Sequence, residues 1–530
     1  MLLLKKVPLN VSVVGGGVSG LVASIYFARA GHKVTLFEKN YSCGGLVNSF
    51  ERDGFLFDGG VPALLNSGII KPMLKEIDVN LEFLENKVSI GIENEIMNVN
   101  GRDSFYEYGK MLKRLYPEIQ NEVDRFINII EKIVSNVEIL YSVDNPLFVD
   151  MQEMKKNISK YLEWLVKLPS VLISMKRLKM SVYDYVLQIL KNISATDIVT
   201  QHFFKDTPTF FALSYFYIYN DYIYPKGGVG KLAKALENKA KDLGVKIFYN
   251  TEIHKVDVSE HTLFDKDGNK YIYDKMVWSS DLKKLYKILE DQNVNTRKWN
   301  IDKERKRVLQ GKPAESVFKV FLAVDKSPNY FKSISEAHFF YTPSKFGIGI
   351  IDKEELEKIK LEMNKKEILN WLDRYCERVS YEISIPTLRD HSLAPEGKTG
   401  IIVNFFFDYE LTKKIYEMGW YDDFKNEVED RIVEILDKSV YRGIKERILL
   451  KFSSTPLTIA RLAGTTHGSI VGWAFGQPLP IKNSLTKSSK TSLPDIYIAG
   501  QWSLQPAGVP TAVLTGKQAA LNVIKSAKKY

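Results

Sequence analysis

Residues 11–28 read VSVVGGGVSGLVASIYFA and residues 33–39 read KVTLFEK. The first four are apolar or small and β-branched, as in a strand buried on both faces, and Ser19 to Ala30 carry a helical pattern that opens directly from the glycine loop. Gly15, Gly17 and Gly20 supply the spacing G-x-G-x-x-G. The three act differently. Gly15 turns the chain out of the strand, Gly17 leaves room for a ligand against bare backbone, and Gly20 lets the helix lie close on the sheet. After Gly31 a second strand, Lys33 to Phe37, ends at Glu38, eighteen residues beyond Gly20. A carboxylate at that place accepts hydrogen bonds from ribose hydroxyls and disfavours a 2′-phosphate, and the helix start offers unpaired N–H groups to a pyrophosphate. Strand, loop, helix, strand and terminal acid in this order predict a dinucleotide-binding unit.

A second glycine-bearing stretch follows at 41–60, YSCGGLVNSFERDGFLFDGG, in which Gly44 and Gly45 allow another close backbone approach to the same ligand. From Leu64 to Met151 the pattern is read as helical and strongly charged. Residues 154–180 place seven Lys and Arg among apolar clusters that include Trp164, Leu165, Val166, Leu172 and Ile173. This reads either as a basic amphipathic element lying in a membrane interface or as a domain helix with a solvated basic face. Residues 202–224, HFFKDTPTFFALSYFYIYNDYIY, are dense in aromatics and too charged to span a bilayer, and are expected to wall an apolar cavity in preference to forming plain core. Residues 224–257 return to α/β grammar, and a meander of short strands runs from there to Ser280.

The end of the chain repeats the opening logic. In 495–527, DIYIAGQWSLQPAGVPTAVLTGKQAALNVIKSA, a strand is turned by Gly500, a loop is punctuated by Gly508 and Pro510, and a helix is expected from Thr511 onward. Its N-terminus would aim a positive dipole end at the ligand.

Composition bounds the remainder. The chain has 530 residues, long enough for two or three domains, with 45% hydrophobic and 26% charged residues. Its net charge of +10 permits an anionic surface as partner, and nucleic acid is not expected. Two cysteines, Cys43 and Cys376, give no disulfide framework, and the seven histidines lack ligand spacing, so no metal is expected. The apolar run in MLLLKKVPLN is too short for a secretory signal.

The order GGGVSGL, FEKN-x-x-x-GG, FDGG, YPKGGVGKLAKAL, GVKIFYNTEI, LRDHSLAPEGK (388–398), STPLT, HGSIVGW and AGQWSLQPAGVPTAVLTG resembles the bacterial-type phytoene desaturase, carotenoid isomerase and retinol saturase family of amine-oxidase-like flavoproteins. The resemblance covers nearly the whole chain and implies non-covalent FAD. It puts Gly15, Gly17, Ser19 and Gly20 on the pyrophosphate and Glu38 on the ribose. Gly44, Gly45 and Leu46 would follow the phosphates and flavin edge, Ile253 would meet adenine through its backbone, and Gly500, Gln501, Val509, Pro510 and Thr511 would hold the ribityl chain and ring. Two positions depart from the pattern: Leu46 stands where arginine is common and Gln501 where an acid is common.

The implied architecture is α/β: a discontinuous, doubly wound Rossmann-type FAD domain (8–65, 222–300 and 484–530) with an inserted α+β substrate domain (66–221 and 301–483) and a helical, membrane-facing subregion at 154–180. The implied function is an FAD-dependent oxidoreductase that introduces or saturates C=C bonds in a hydrophobic isoprenoid or carotenoid-like substrate. Three alternatives stand beside it: a non-redox cis-trans isomerase using reduced FAD, a flavin amine oxidase, and a non-catalytic prenyl-lipid carrier. His467 is the acid–base candidate, because imidazole exchanges protons near neutrality. A dedicated NAD(P)H domain is not expected, since GGVG at 227–230 lacks a preceding strand and a following acid. Electrons would pass to or from a quinone, oxygen or a protein carrier. The expected location is cytoplasmic, peripheral on the inner face of the membrane.

Overall fold

The computed structural model describes residues 8–290, 300–349, 351 and 353–527. A five-stranded parallel sheet has the order Lys246–Phe248, Lys33–Phe37, Asn10–Val14, Lys275–Trp278, Ile496–Ile498, so it gathers strands from three separated stretches of chain. The helices Val18–Arg29, Gly230–Asp242 and Val509–Ala527 pack around it. Glycine sets the closest of these contacts. A Cβ on Gly516 would lie 2.4 Å from the carbonyl oxygen of Ser19, and one on Gly20 would lie 2.0 Å from that of Gly15.

A seven-stranded sheet runs in the order Ile448–Ser454, Ser316–Val324, Thr399–Phe407, Tyr381–Ser384, His338–Thr342, Val88–Ile92, Glu95–Asn98. Its longest strand, SVFKVFLAV, is buried on both faces. Phe318, Val320, Leu322 and Val324 share a core with Trp371 of helix Lys365–Cys376 and Phe424 of helix Tyr421–Lys438. The alternate residues, Val317 and Lys319 among them, face the other way into a cavity. A helical layer closes that cavity; it contains Ser104–Leu115, Gln120–Leu140, Ile158–Arg177, Val182–Leu190 and Ile193–Thr200.

Three local readings are corrected. Within 64–151, expected to be helical, the chain forms strands at Phe83–Glu85, Val88–Ile92 and Glu95–Asn98. The segment VSIGI is buried at every position because it pairs with His338–Thr342, and Gly91 admits the ring of Phe339, 2.7 Å from where a Cβ would stand. The loop at 227–230 does have a preceding strand, Tyr222–Pro225, but that strand pairs antiparallel in a small separate sheet and not in the dinucleotide sheet. The last helix begins at Val509, two residues before Thr511.

Candidate active site

Two cavities lie between the sheets and meet each other. The smaller, about 180 Å³, opens at the C-terminal ends of the parallel strands, where ligands of open α/β sheets bind. Gly15, Gly17, Ser19, Glu38, Gly44, Gly45, Leu46, Ile253, Gly500, Gln501 and Val509 all line it, so residues named from four separate motifs converge. The two glycine loops are laid against each other: Gly44 N donates to Gly16 O at 2.9 Å, and Gly17 and Gly44 form a parallel bridge. Gly20 stands behind this surface, in contact with the Gly15 carbonyl, and its role is to seat the helix.

The cradle suits an FAD. A Cβ added at Gly17 would meet nothing within 4 Å, so the backbone there is bare toward open space. Gly17 caps helix Val18–Arg29 without any side-chain hydrogen bond, which leaves first-turn N–H groups for a pyrophosphate. Glu38 accepts from Gly16 N and Asn40 N, both at 2.8 Å, and its remaining lone pairs are available to ribose hydroxyls. Burial pushes its carboxyl above the usual range. Trp502 Nε1 and Thr465 Oγ1 are buried against this cavity and have no hydrogen-bond partner among the described residues, an arrangement native proteins avoid unless a ligand or water supplies one. Burial also pushes the neighbouring Cys43 thiol up to about 12, which fits a small buried residue and not a redox thiol.

The larger cavity encloses about 740 Å³, within the range of small-molecule sites. Leu46, Val61, Ile470, Gly508 and Val509 belong to both cavities and mark their junction. Pro510 and Thr511 line only the larger one, so the start of the last helix stands at the join. Aromatic side chains dominate its walls, including Phe203, Phe211, Tyr215 and Tyr222 from the stretch read as a cavity wall.

The charged residues of this cavity were missed in the sequence. Lys319 is the one cation and Glu382 the one carboxylate among its described lining residues. Lys319 is 5% exposed and donates to Gly60 O at 2.6 Å, beside the junction residue Val61. Burial lowers its pKa to about 8, against the opposing pull of the Glu382 and Asp58 charges. Lysine in the middle of SVFKVFLAV, a run otherwise fit for a core strand, is the signal that could have found it. His467, in contrast, lines neither cavity: it is half-exposed, stacked on Tyr409 with ring centroids 4.8 Å apart, and 3.7 Å from Glu410. Among the described residues no group of three or more His, Cys, Asp or Glu side chains could hold a metal.

Comparison with known proteins agrees with this geometry. The family model of flavin containing amine oxidoreductases matches residues 18–347. The 4,4'-diapophytoene desaturases (4,4'-diaponeurosporene-forming) of Staphylococcus aureus strains COL and Newman are each 24% identical, over 98% of this chain and 100% of their own length. Similar folds occur in an oxidoreductase from Methanosarcina mazei (TM-score 0.61, 14% identity, 98% of this chain and 100% of that one) and in putrescine oxidase bound to putrescine (TM-score 0.58, 14% identity, 98% and 99%). The matched residues span more than half of the chain and include helix Val18–Arg29, Glu38 and the strand that carries Lys319; the protein belongs to the flavin containing amine oxidoreductase family and is an FAD-dependent oxidoreductase.

Proposed function

We propose that the protein introduces or saturates C=C bonds in an isoprenoid chain held in the larger cavity, with residues 8–65, 222–300 and 484–530 forming the cofactor domain and the intervening segments the substrate domain. The observation that carries this is the junction at Leu46, Val61, Ile470, Gly508 and Val509, which line both the aromatic-walled cavity and the cradle suited to FAD. Bound FAD supplies hydride exchange with carbon. The protein's part is positional. Phe203, Phe211, Phe340 and Phe406 exclude water and hold an apolar chain by burial, so an otherwise unreactive C–H or C=C lies at the junction in one orientation. Lys319, within reach of the same place, is poised near neutrality to give up or take a proton. The desaturase relatives support the same reading.

The helix Ile158–Arg177 supports a lipid source for the substrate. Its inner side carries Trp164, which lines the cavity and donates Nε1 to Leu140 O at 3.3 Å. Its outer side leaves Leu162, Leu165, Val166, Leu172 and Ile173 exposed, Val166 by 80%, among the lysines of the same segment. Such a face seats in the headgroup boundary, next to the cavity wall. No helix among the described residues is long and apolar enough to cross a membrane, so the contact proposed is peripheral.

The test is an absorption spectrum of the purified protein with mass spectrometry of its organic extract, followed by anaerobic addition of an isoprenoid, diapophytoene in one sample and geranylgeraniol in another. Bleaching of the flavin band with appearance of a longer polyene is the expected result. Bleaching by putrescine or another amine, and none by the isoprenoid, would replace this reading with amine oxidation.

A further inference from the structure

Glu382 sits in an apolar cavity with a third of its side-chain surface open to it, 31%, although it lies deep in the protein. The chain has built a rigid support behind it. Arg389 can only donate, and its Nε reaches Asn86 Oδ1 at 2.6 Å, which fixes the orientation of the Asn86 amide. Asn86 Nδ2 then faces His338 Nδ1 at 3.4 Å, so the imidazole proton is on Nε2, which donates to Glu382 Oε1 at 3.0 Å. His338 is fully buried, and burial lowers its pKa against the opposing pull of Glu382. Asn404 Nδ2 donates to the second oxygen at 3.4 Å. Burial alone would raise the Glu382 carboxyl; the hydrogen bond and charge of His338, then the Lys319 charge and the Asn404 hydrogen bond, hold the group below the usual range.

Each carboxylate oxygen thus has one protein partner and at least one further lone pair open toward the cavity. A hydrocarbon laid against it would strip water from an anion without replacing its hydrogen bonds, at a cost larger than that of an ordinary unsatisfied polar group. The position is also defined along the cavity. Lys319 is registered with Asn404, and Asn404 with Glu382, in one row across neighbouring strands. At about 4.8 Å per strand, the backbones of Glu382 and Lys319 are roughly 10 Å apart.

We propose that Glu382 is a substrate-recognition residue that receives the hydroxyl of an isoprenoid alcohol, holding its polar end in the cavity two strands from Lys319. This rests on the isoprenoid reading and narrows it. No electron or proton transfer is assigned to Glu382; it positions the chain end so that the reacting bond falls at the junction.

The experiment compares three probes on the FAD-loaded protein by quenching of intrinsic fluorescence: geranylgeraniol, its methyl ether, and squalene. The alcohol is expected to bind at least about tenfold more tightly than the ether, the value of a hydrogen bond to a charged acceptor. In the Glu382→Gln protein, checked for retained flavin absorbance, that ratio should fall below about threefold with the ether's affinity unchanged. Equal affinity for alcohol, ether and squalene in the native protein would overturn the inference while leaving an isoprenoid site standing. Failure of all three to bind would remove both. Because the first comparison needs no variant, a poorly folding Glu382→Gln protein leaves the test intact.

Discussion

Lys319 is nearly buried, its ammonium faces the Glu382 and Asp58 charges and the Gly60 carbonyl, and its pKa falls to about 8. Between that value and the ordinary 10.5 the unfolded chain holds a proton that the folded protein has lost. Raising the pH through this window therefore stabilises the native state, by up to about 3 kcal/mol for this one group. Many tyrosines and lysines titrate in the same range, so the quantity to measure is the difference between native protein and Lys319→Met across pH 7 to 10.5. The native protein should gain relative to the variant as pH rises; a difference independent of pH would show that the lysine is solvated. At this scale the convergence of the glycine motifs was legible, because Gly17 and Glu38 follow from one local strand–loop–helix–strand pattern and both line the smaller cavity. The cavity side was not, since Glu382 acquires its meaning from His338 and Asn404, which lie 44 and 22 positions away.

Secondary elements were readable where local period and tertiary environment agree. The strand Lys33–Phe37 and the helix Val18–Arg29 emerge as their patterns indicate. The pairing of Val88–Ile92 with His338–Thr342 joins residues 250 apart, and a five-residue apolar run does not reveal such a partner. The helix Ile158–Arg177 is a third case: its pattern gave an amphipathic element, and only the packing of Trp164 on Leu140 says which side looks inward. The outward side makes a sharp prediction. Native protein should co-sediment with vesicles containing anionic lipid and less with neutral ones, and the double variant Leu165→Glu, Val166→Glu should lose most of that binding while keeping its flavin spectrum. Binding unaffected by the pair would mean that another surface meets the lipid, or that charge alone suffices.

On the scale of the whole molecule, the FAD cradle is closed by stretches far apart in the chain: 15–19 and 44–47, then 251–253, then 500–512. A cofactor that touches all of these stretches is also a cross-link between the ends of the fold. Occupancy a thousandfold above the dissociation constant stabilises the native state by about 4 kcal/mol. That energy is expected to be felt together at all the cradle stretches and hardly at the helices Lys365–Cys376 and Tyr421–Lys438, which pack on the far face of the seven-stranded sheet. Hydrogen exchange read by mass spectrometry, with and without FAD, resolves this directly. Joint protection of 11–20, 44–47, 251–253 and 500–512 is the expected pattern. Protection confined to 11–38 would mean that the N-terminal unit binds the dinucleotide independently and that the C-terminal helix does not belong to the site.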